Sequence, residues 1–122
     1  MKLHIAQTSG RNVVTGYGEG FIAINGTRHE THLLVTSEHV TPWQIGGFEA
    51  VTAEVAGQFM AQNPELVIFG TGAVLRFPQS ELARRLAAAG IGLEVMDSKA
   101  ACRTYNVLMA EGRRVLAAIL IE

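Results

Sequence analysis

The residues whose side chains could best take part in catalysis or binding lie in one run, Met96 to Asn106, which contains the only cysteine of the chain. An aspartate, a serine and two cations accompany Cys102 there. A thiol near a helix N-terminus and beside a cation such as Arg103 has a lowered pKa, and the resulting thiolate is a nucleophile. Asn106 lies four residues beyond Cys102 and would share its flank of a helix. Cys102 is therefore either a reactive thiol or, as is commoner for a free cysteine, a small structural side chain.

The start of the same run could also bind an anion. Ser98 is predicted to cap a helix, with Asp97 as the second candidate, and a helix N-terminus presents free N–H groups that favour negative charge. Lys99 and Arg103 are less expected there, because cations near the first turn oppose the positive end of the helix dipole. A bound anion would account for them. The alternative is that both side chains reach water and that Asp97 offsets their charge.

A second segment, Gly70-Thr71-Gly72, follows a predicted buried strand and could approach a ligand through its backbone. Ligands of α/β sheets bind at the carboxyl ends of strands. Leu75 occupies the position of the third glycine of a dinucleotide-binding fingerprint, so the alternative is a tight exit from the strand. If the strands that end at Phe69 and Met96 are parallel, this segment and the helix start share one edge of the sheet. We therefore predict a single ligand-binding site whose candidate residues are Gly70, Thr71, Gly72, Asp97, Ser98, Cys102, Arg103 and Asn106.

Metal and hydrolytic sites are not indicated by the sequence. His29 and His32 are three apart in a predicted strand and would face opposite sides, and a single cysteine offers no zinc framework. The other histidines, His4 and His39, also lie in the first part of the chain. No Ser-His-Asp or paired-carboxylate arrangement stands out. We predict no metal and no cofactor, and we favour a non-enzymatic protein while leaving an enzyme open.

The composition predicts one domain over residues 1–122, since 48% of the residues are apolar and 17% are charged. Ten basic and eleven acidic residues leave a net charge of −1, which argues against a nucleic-acid binder, because such proteins need a basic surface. Met1 to Gln7 lack the apolar core of a signal peptide, and Val115 to Ile121 are too few to span a bilayer. We expect a cytoplasmic protein without membrane insertion, and a single cysteine fits a reducing compartment.

The first part of the chain is predicted to be rich in β-strands. Phe21–Ile24, the turn Asn25-Gly26 and the residues from Thr27 onward are typical of a hairpin, because Asn-Gly supplies the two positive φ values of a type I′ turn. With Ile24 opposite Thr27, the two-residue period places four apolar side chains on one face. They are Ile22, Ile24, Leu33 and Val35. The other extended segments expected in this part are Asn12–Tyr17 and Thr41-Pro42-Trp43.

From Val51 onward, the apolar periodicity predicts alternating helices and strands. The expected helices are Thr52–Gln62, the segment from near Pro78 to Ala89, and Ser98–Glu111, and the expected strands are Leu66–Phe69, Gly92–Met96 and Val115–Ile121. The expected buried stripes of the last two helices are Leu82, Leu86 and Ala89, and then Ala101, Tyr105 and Leu108. This order predicts an α/β fold of three layers, in which helices cover a mixed central sheet and the N-terminal part adds a small antiparallel β annex.

Several segments, taken together, resemble one known family. They are Gly16 to Phe21, Trp43, Pro64 to Gly72, Met96 to Leu108 and Glu111 to Val115. The family is a small single-domain group long labelled a domain of unknown function, which includes the mitochondrial NADH dehydrogenase (complex I) alpha-subcomplex assembly factor three and the adipogenesis-associated domain-containing protein. The similarity covers nearly the whole chain.

The resemblance implies the same three-layer α/β fold and carries over no established catalytic residues. The mitochondrial members serve the assembly of respiratory complex I through protein partners, and the lack of a transit segment makes this chain look like a bacterial member. The leading hypothesis is a non-enzymatic accessory protein that acts through protein contacts. The alternative is a binder of, or an enzyme for, a small anionic or nucleotide-like ligand, held by Gly70–Gly72 and the helix N-terminus at Ser98.

Overall fold

The computed structural model describes residues 10–122, and two β-sheets organise this part of the chain. The predictions about His4 and about Met1 to Gln7 lie outside the described residues. The smaller sheet is antiparallel, in the order β1-β2-β3. Its strands are β1 (Val14–Gly18), β2 (Phe21–Ile24) and β3 (Thr27–His29).

The larger sheet has five strands and is mixed. Its strands are β4 (Leu33–Val35), β5 (Val40–Pro42), β6 (Leu66–Gly70), β7 (Gly92–Met96) and β8 (Val115–Ile119). They lie in the order β5-β4-β8-β6-β7. Strand β6 is parallel to both of its neighbours, whereas β4 is antiparallel to both of its own. A mixed central sheet with an antiparallel annex confirms the predicted fold class.

Helices and the smaller sheet cover the two faces of the larger sheet. The helices are α1 (Ala56–Met60), α2 (Ser80–Ala88) and α3 (Ser98–Ala110), and two 3₁₀ turns, Phe48–Ala50 and Ala53–Val55, precede α1. On one face, Phe69 of β6 packs in a cluster with Leu82 and Leu86 of α2. On the other face, Ile68 packs with Tyr105 of α3 and Ile22 of the annex. Both faces of β6 are therefore covered, as its continuous apolar sequence predicts.

The hairpin prediction is confirmed, but its second strand is shorter than expected. Asn25 and Gly26 have φ values of 52° and 83°, and Ile24 pairs with Thr27. Strand β3 ends at His29, and Leu33–Val35 joins the larger sheet beside β8. The four apolar residues that we expected on one face of the hairpin share a single cluster, because the annex packs on the face of β4.

Two of the predicted helices differ in detail from the structure. The segment Thr52–Gln62 begins with a 3₁₀ turn, and only Ala56–Met60 is α-helical. Helix α2 begins at Ser80, two residues after Pro78. Ala89, predicted to be buried, is exposed, because it is the C-cap of α2 at the point where the chain turns away.

The buried stripe of α3 also differs from the prediction. Ala101 and Tyr105 are buried as expected, but Cys102 and Met109 are buried with them and Leu108 is only half-buried. The reason is that α3 packs against two surfaces at once, the larger sheet and strand β1 of the annex. A buried stripe predicted for packing against a single surface therefore includes too few residues of α3.

Asn106 joins α3 to the annex. Its Oδ1 accepts a hydrogen bond from the Val14 N–H at 2.9 Å, and its Nδ2 donates to the Val14 carbonyl at 2.8 Å. The hydroxyl of the preceding residue, Tyr105, donates to the Asn12 carbonyl at 2.8 Å. The amide of Asn106 thus bonds to β1 as a neighbouring strand would, and it satisfies backbone groups that would otherwise form a free sheet edge.

We expect Asn106→Leu to lower the free energy of unfolding by about 1–3 kcal/mol, because it leaves two partly buried backbone groups of Val14 without partners. Urea denaturation measures the loss. The matched control is Val107→Ala on the same helix, where the side chain is 56% exposed and the change should be within about 0.5 kcal/mol. Equal losses in the two variants would contradict the role of the amide.

Candidate functional site

Five residues of the predicted site, Gly70, Thr71, Gly72, Asp97 and Ser98, lie where three segments end at one edge of the larger sheet. Strands β6 and β7 are parallel, with Gly70 opposite Met96, so Gly70-Thr71-Gly72 and the start of α3 lie side by side as expected. Strand β8 is also parallel to β6 and brings the chain that follows it, Leu120 to Glu122, to the same edge.

Ser98 has a different role from the predicted one. The N-cap of α3 is Asp97, whose carboxylate accepts a hydrogen bond from the Ala100 N–H at 2.9 Å. The Ser98 hydroxyl accepts from the Gly72 N–H at 2.8 Å and donates to the Leu120 carbonyl at 2.5 Å. The prediction of Ser98 as the cap is therefore wrong, because its hydroxyl points to the ends of two neighbouring strands.

The loop after β6 also directs its polar groups inward. Thr71 is fully buried, its N–H donates to the Met96 carbonyl at 2.9 Å, and its hydroxyl donates to the Val74 carbonyl at 2.7 Å. The Ala73 N–H donates to the Glu122 carbonyl at 3.0 Å. Three successive N–H groups, with that of Gly72, already have partners within the chain. An anion at this edge would have to use other donors.

Cys102 is almost completely buried. Burial disfavours the thiolate and raises the pKa of Cys102 to about 11, and the nearby charge of Arg103 offsets only part of this effect. The position of Cys102 in the core of α3 favours the structural alternative over a reactive thiol.

Arg103 and Lys99 point outward and converge on Tyr17 of the annex. The Arg103 Nη1 atom lies 3.2 Å from the Tyr17 hydroxyl oxygen, and the Lys99 Nζ atom lies 5.8 Å from the centre of the Tyr17 ring. Among the salt bridges of residues 10–122, none includes Lys99 or Arg103. The two cations therefore form a positive patch beside an aromatic ring.

A groove of about 540 Å³ opens beside this patch. The turn between β1 and β2 forms one wall, the start of α3 with Gly72 and Ala73 forms the other, and Leu120 to Glu122 complete it. Of the predicted site residues, the groove brings together Gly72, Ser98 and Cys102. Sequence reasoning missed the contribution of the annex, because no local pattern places the β1–β2 turn against α3.

A second exposed feature lies next to the groove. In residues 73–78, here called the apolar loop, Val74, Leu75 and Phe77 are 65%, 47% and 73% exposed. Arg76 fastens this loop: its Nη2 atom donates to the Thr71 carbonyl at 2.8 Å and to the Glu122 carboxylate at 2.9 Å. In the sequence, this loop is an apolar run between a strand and a helix, and that run is the signal that could have predicted it.

Within residues 10–122, we find no group of three histidine, cysteine, aspartate or glutamate side chains that could hold a metal ion. None of the helices described is long and apolar enough to cross a membrane.

The chain is similar to proteins of one family. Residues 14–120 match the family described as Protein of unknown function (DUF498/DUF598). An uncharacterized protein of Rhodobacter capsulatus is 39% identical over 107 residues, which cover 88% of this chain and 82% of that protein. The bovine NADH dehydrogenase [ubiquinone] 1 alpha subcomplex assembly factor 3 is 30% identical over 109 residues, which cover 88% of this chain but only 59% of that protein.

The fold has a counterpart among solved structures. The crystal structure of a Bordetella parapertussis protein superimposes with a TM-score of 0.87 at 39% identity, and the match covers 93% of this chain and 98% of that one.

We expect Gly70→Ala to destabilise the protein by about 1–3 kcal/mol, because an added Cβ would lie only 2.9 Å from the Ser98 Oγ atom and 3.0 Å from the Ala101 Cβ atom. The matched control is Gly57→Ala in α1, where an added Cβ meets nothing within 4 Å. That change should stabilise by roughly 0.5 kcal/mol, since alanine favours a helix. Urea denaturation measures the change in the free energy of unfolding, which should be negative for Gly70→Ala and positive for Gly57→Ala. No change for Gly70→Ala would contradict the close approach of β6 to α3.

We expect alkylation of Cys102 by iodoacetamide at pH 8 to be at least about a hundredfold slower in the folded than in the urea-unfolded protein, since both burial and the raised pKa limit the thiolate. The pKa of the Cys102 thiol is raised from its ordinary value of 9.0 to about 11 in the folded state. At a pH between these two values, the unfolded state releases the thiol proton while the folded state keeps it. The free energy of unfolding should therefore fall as the pH rises through this range. Cys102→Ala should lessen that fall, and rapid labelling at pH 8 would restore the reactive alternative.

Proposed function

The chain belongs to the family described as Protein of unknown function (DUF498/DUF598), and on that premise we propose that it is a non-enzymatic accessory protein that acts through protein contacts. Relatives of the chain at about 30% identity are named as assembly factors of NADH dehydrogenase. We propose that this chain likewise serves the assembly of a membrane complex of that type, and that the apolar loop makes the contact.

The exposure of the apolar loop is the observation that carries this proposal. Three large apolar side chains within four residues, Val74, Leu75 and Phe77, are each about half or more exposed. A lone exposed apolar side chain is ordinary on a protein surface, but a contiguous group marks an interaction site. Phenylalanine and other aromatic residues are enriched in the buried centres of protein interfaces.

The loop is also held in one conformation, which favours binding. The Thr71 hydroxyl accepts from the Arg76 N–H at 3.1 Å and donates to Val74, and the Arg76 guanidinium carbon lies 4.5 Å from the centre of the Phe48 ring. A loop fixed before binding loses less conformational entropy when a partner covers it.

The deciding experiment is affinity capture at native expression, comparing the parent chain with the triple variant Val74→Ser, Leu75→Ser, Phe77→Ser. We expect subunits of an NADH dehydrogenase-type complex to be recovered with the parent chain. The triple variant should recover at least about tenfold less, because loss of central apolar contacts costs more than 1.4 kcal/mol. Quantitative mass spectrometry of the captured proteins provides the measurement.

The matched control replaces exposed apolar residues elsewhere, with Met60→Ser and Val107→Ser together. It should capture the same proteins as the parent chain. All variants should melt within a few degrees of the parent, since exposed side chains contribute little to stability. No reproducible partner for the parent chain, or an undiminished capture by the triple variant, would remove the proposal.

A second candidate function is the binding of a small anionic ligand, and one observation favours it. Lys99 lines the groove, Arg103 lies beside its mouth against the Tyr17 hydroxyl, and neither is paired with a carboxylate within the described residues. Such a ligand would be bound chiefly by these side chains, because the N–H groups of Thr71 and Gly72 already donate inside the chain.

A further inference from the structure

The deep wall of the groove is apolar. Phe21 and Ile121 line it with half-buried side chains, and Ile22 and Leu120 beside them are almost completely buried. The Ser98 hydroxyl that reaches this wall is engaged by two hydrogen bonds. A polar group inserted here would lose its water without gaining a strong partner, which is costly. The inserted part of an occupant must therefore be apolar.

The charged side chains at the mouth of the groove determine where a charged group of a ligand is favoured. Lys99 and Arg103 lie on the α3 side, next to Tyr17. The carboxylate of Glu122 is already held by Arg76 and by the Phe48 N–H, and that of Glu19 is exposed on the opposite wall. A negative group is therefore favoured on the α3 side of the mouth and disfavoured near the β1–β2 turn.

We infer that the groove binds a medium-chain fatty carboxylate, with its tail against Phe21 and Ile121 and its carboxylate at Lys99 and Arg103. The volume of about 540 Å³ falls within the usual range for small-molecule sites, about 300–1,000 Å³. A ligand with an apolar body and one terminal anion places the body against the apolar wall and the anion beside the cations of the mouth. A nucleotide would instead place polar groups against the apolar wall. This inference rests on the second candidate function and specifies its ligand class.

The test is titration calorimetry of the full chain with decanoate below its micellar concentration, with decanol and inorganic phosphate as comparison probes. Decanoate should bind at least about tenfold more tightly than decanol, which has the same tail without the charge. Decanoate should also bind roughly fifteenfold more tightly than octanoate, since each buried methylene contributes about fourfold.

Three variants locate the ligand. Lys99→Ala with Arg103→Ala should reduce decanoate binding to the level of decanol. Ala73→Trp, at an exposed position that lines the groove, should block both probes while leaving the circular dichroism spectrum unchanged. Arg84→Ala with Arg113→Ala removes two cations that do not line the groove and should leave binding as in the parent chain.

The outcomes separate this inference from the functions proposed above. Equal binding of decanoate and decanol, or decanoate binding that survives Ala73→Trp, would overturn it. Phosphate binding that depends on Arg103, without decanoate binding, would overturn it and leave the second candidate function standing. If neither decanoate nor phosphate binds, this inference and the second candidate function are both overturned. The protein-contact proposal is tested separately, by the variants of the apolar loop.

Discussion

The hydroxyl of Ser98 is the interaction on which this edge of the fold depends. It links the start of α3 to the exit from β6, through the Gly72 N–H, and to the chain after β8, through the Leu120 carbonyl. It can reach both only because β6 approaches α3 so closely that Gly70 has no room for a Cβ. One small side chain therefore fixes the relative positions of a helix and two neighbouring parallel strands.

This arrangement commits much of the polar chemistry of the site that the sequence suggested to internal hydrogen bonds. The donors of Thr71 and Gly72 and the hydroxyl of Ser98 are committed to holding the edge together. Two exposed features remain beside it, the apolar loop and the groove with its positive mouth. Both depend on the hydrogen bonds at this edge of the larger sheet. Arg76 holds the apolar loop through Thr71 and Glu122, and Glu122 also lines the groove.

Local signals made much of the fold predictable. The Asn25-Gly26 turn and the continuous apolar strand β6 are encoded by adjacent residues, and both were found where expected. The transfer of Leu33–Val35 to the larger sheet was not predictable, because its partner β8 lies some eighty residues away. The groove has the same origin: it exists only where the β1–β2 turn meets α3. Choosing Asp97 rather than Ser98 as the cap likewise required knowing what surrounds Ser98.

The fold perturbs three titratable groups of residues 10–122 and keeps each of them in its resting form. Here, burial raises the pKa of Cys102 and of Tyr105, which keeps both neutral. Hydrogen bonds, first from the Arg114 N–H and then from Arg113, lower the pKa of Glu65, which keeps that carboxylate charged at the opposite end of the sheet. Each shift moves the group away from neutral pH and stabilises its resting form.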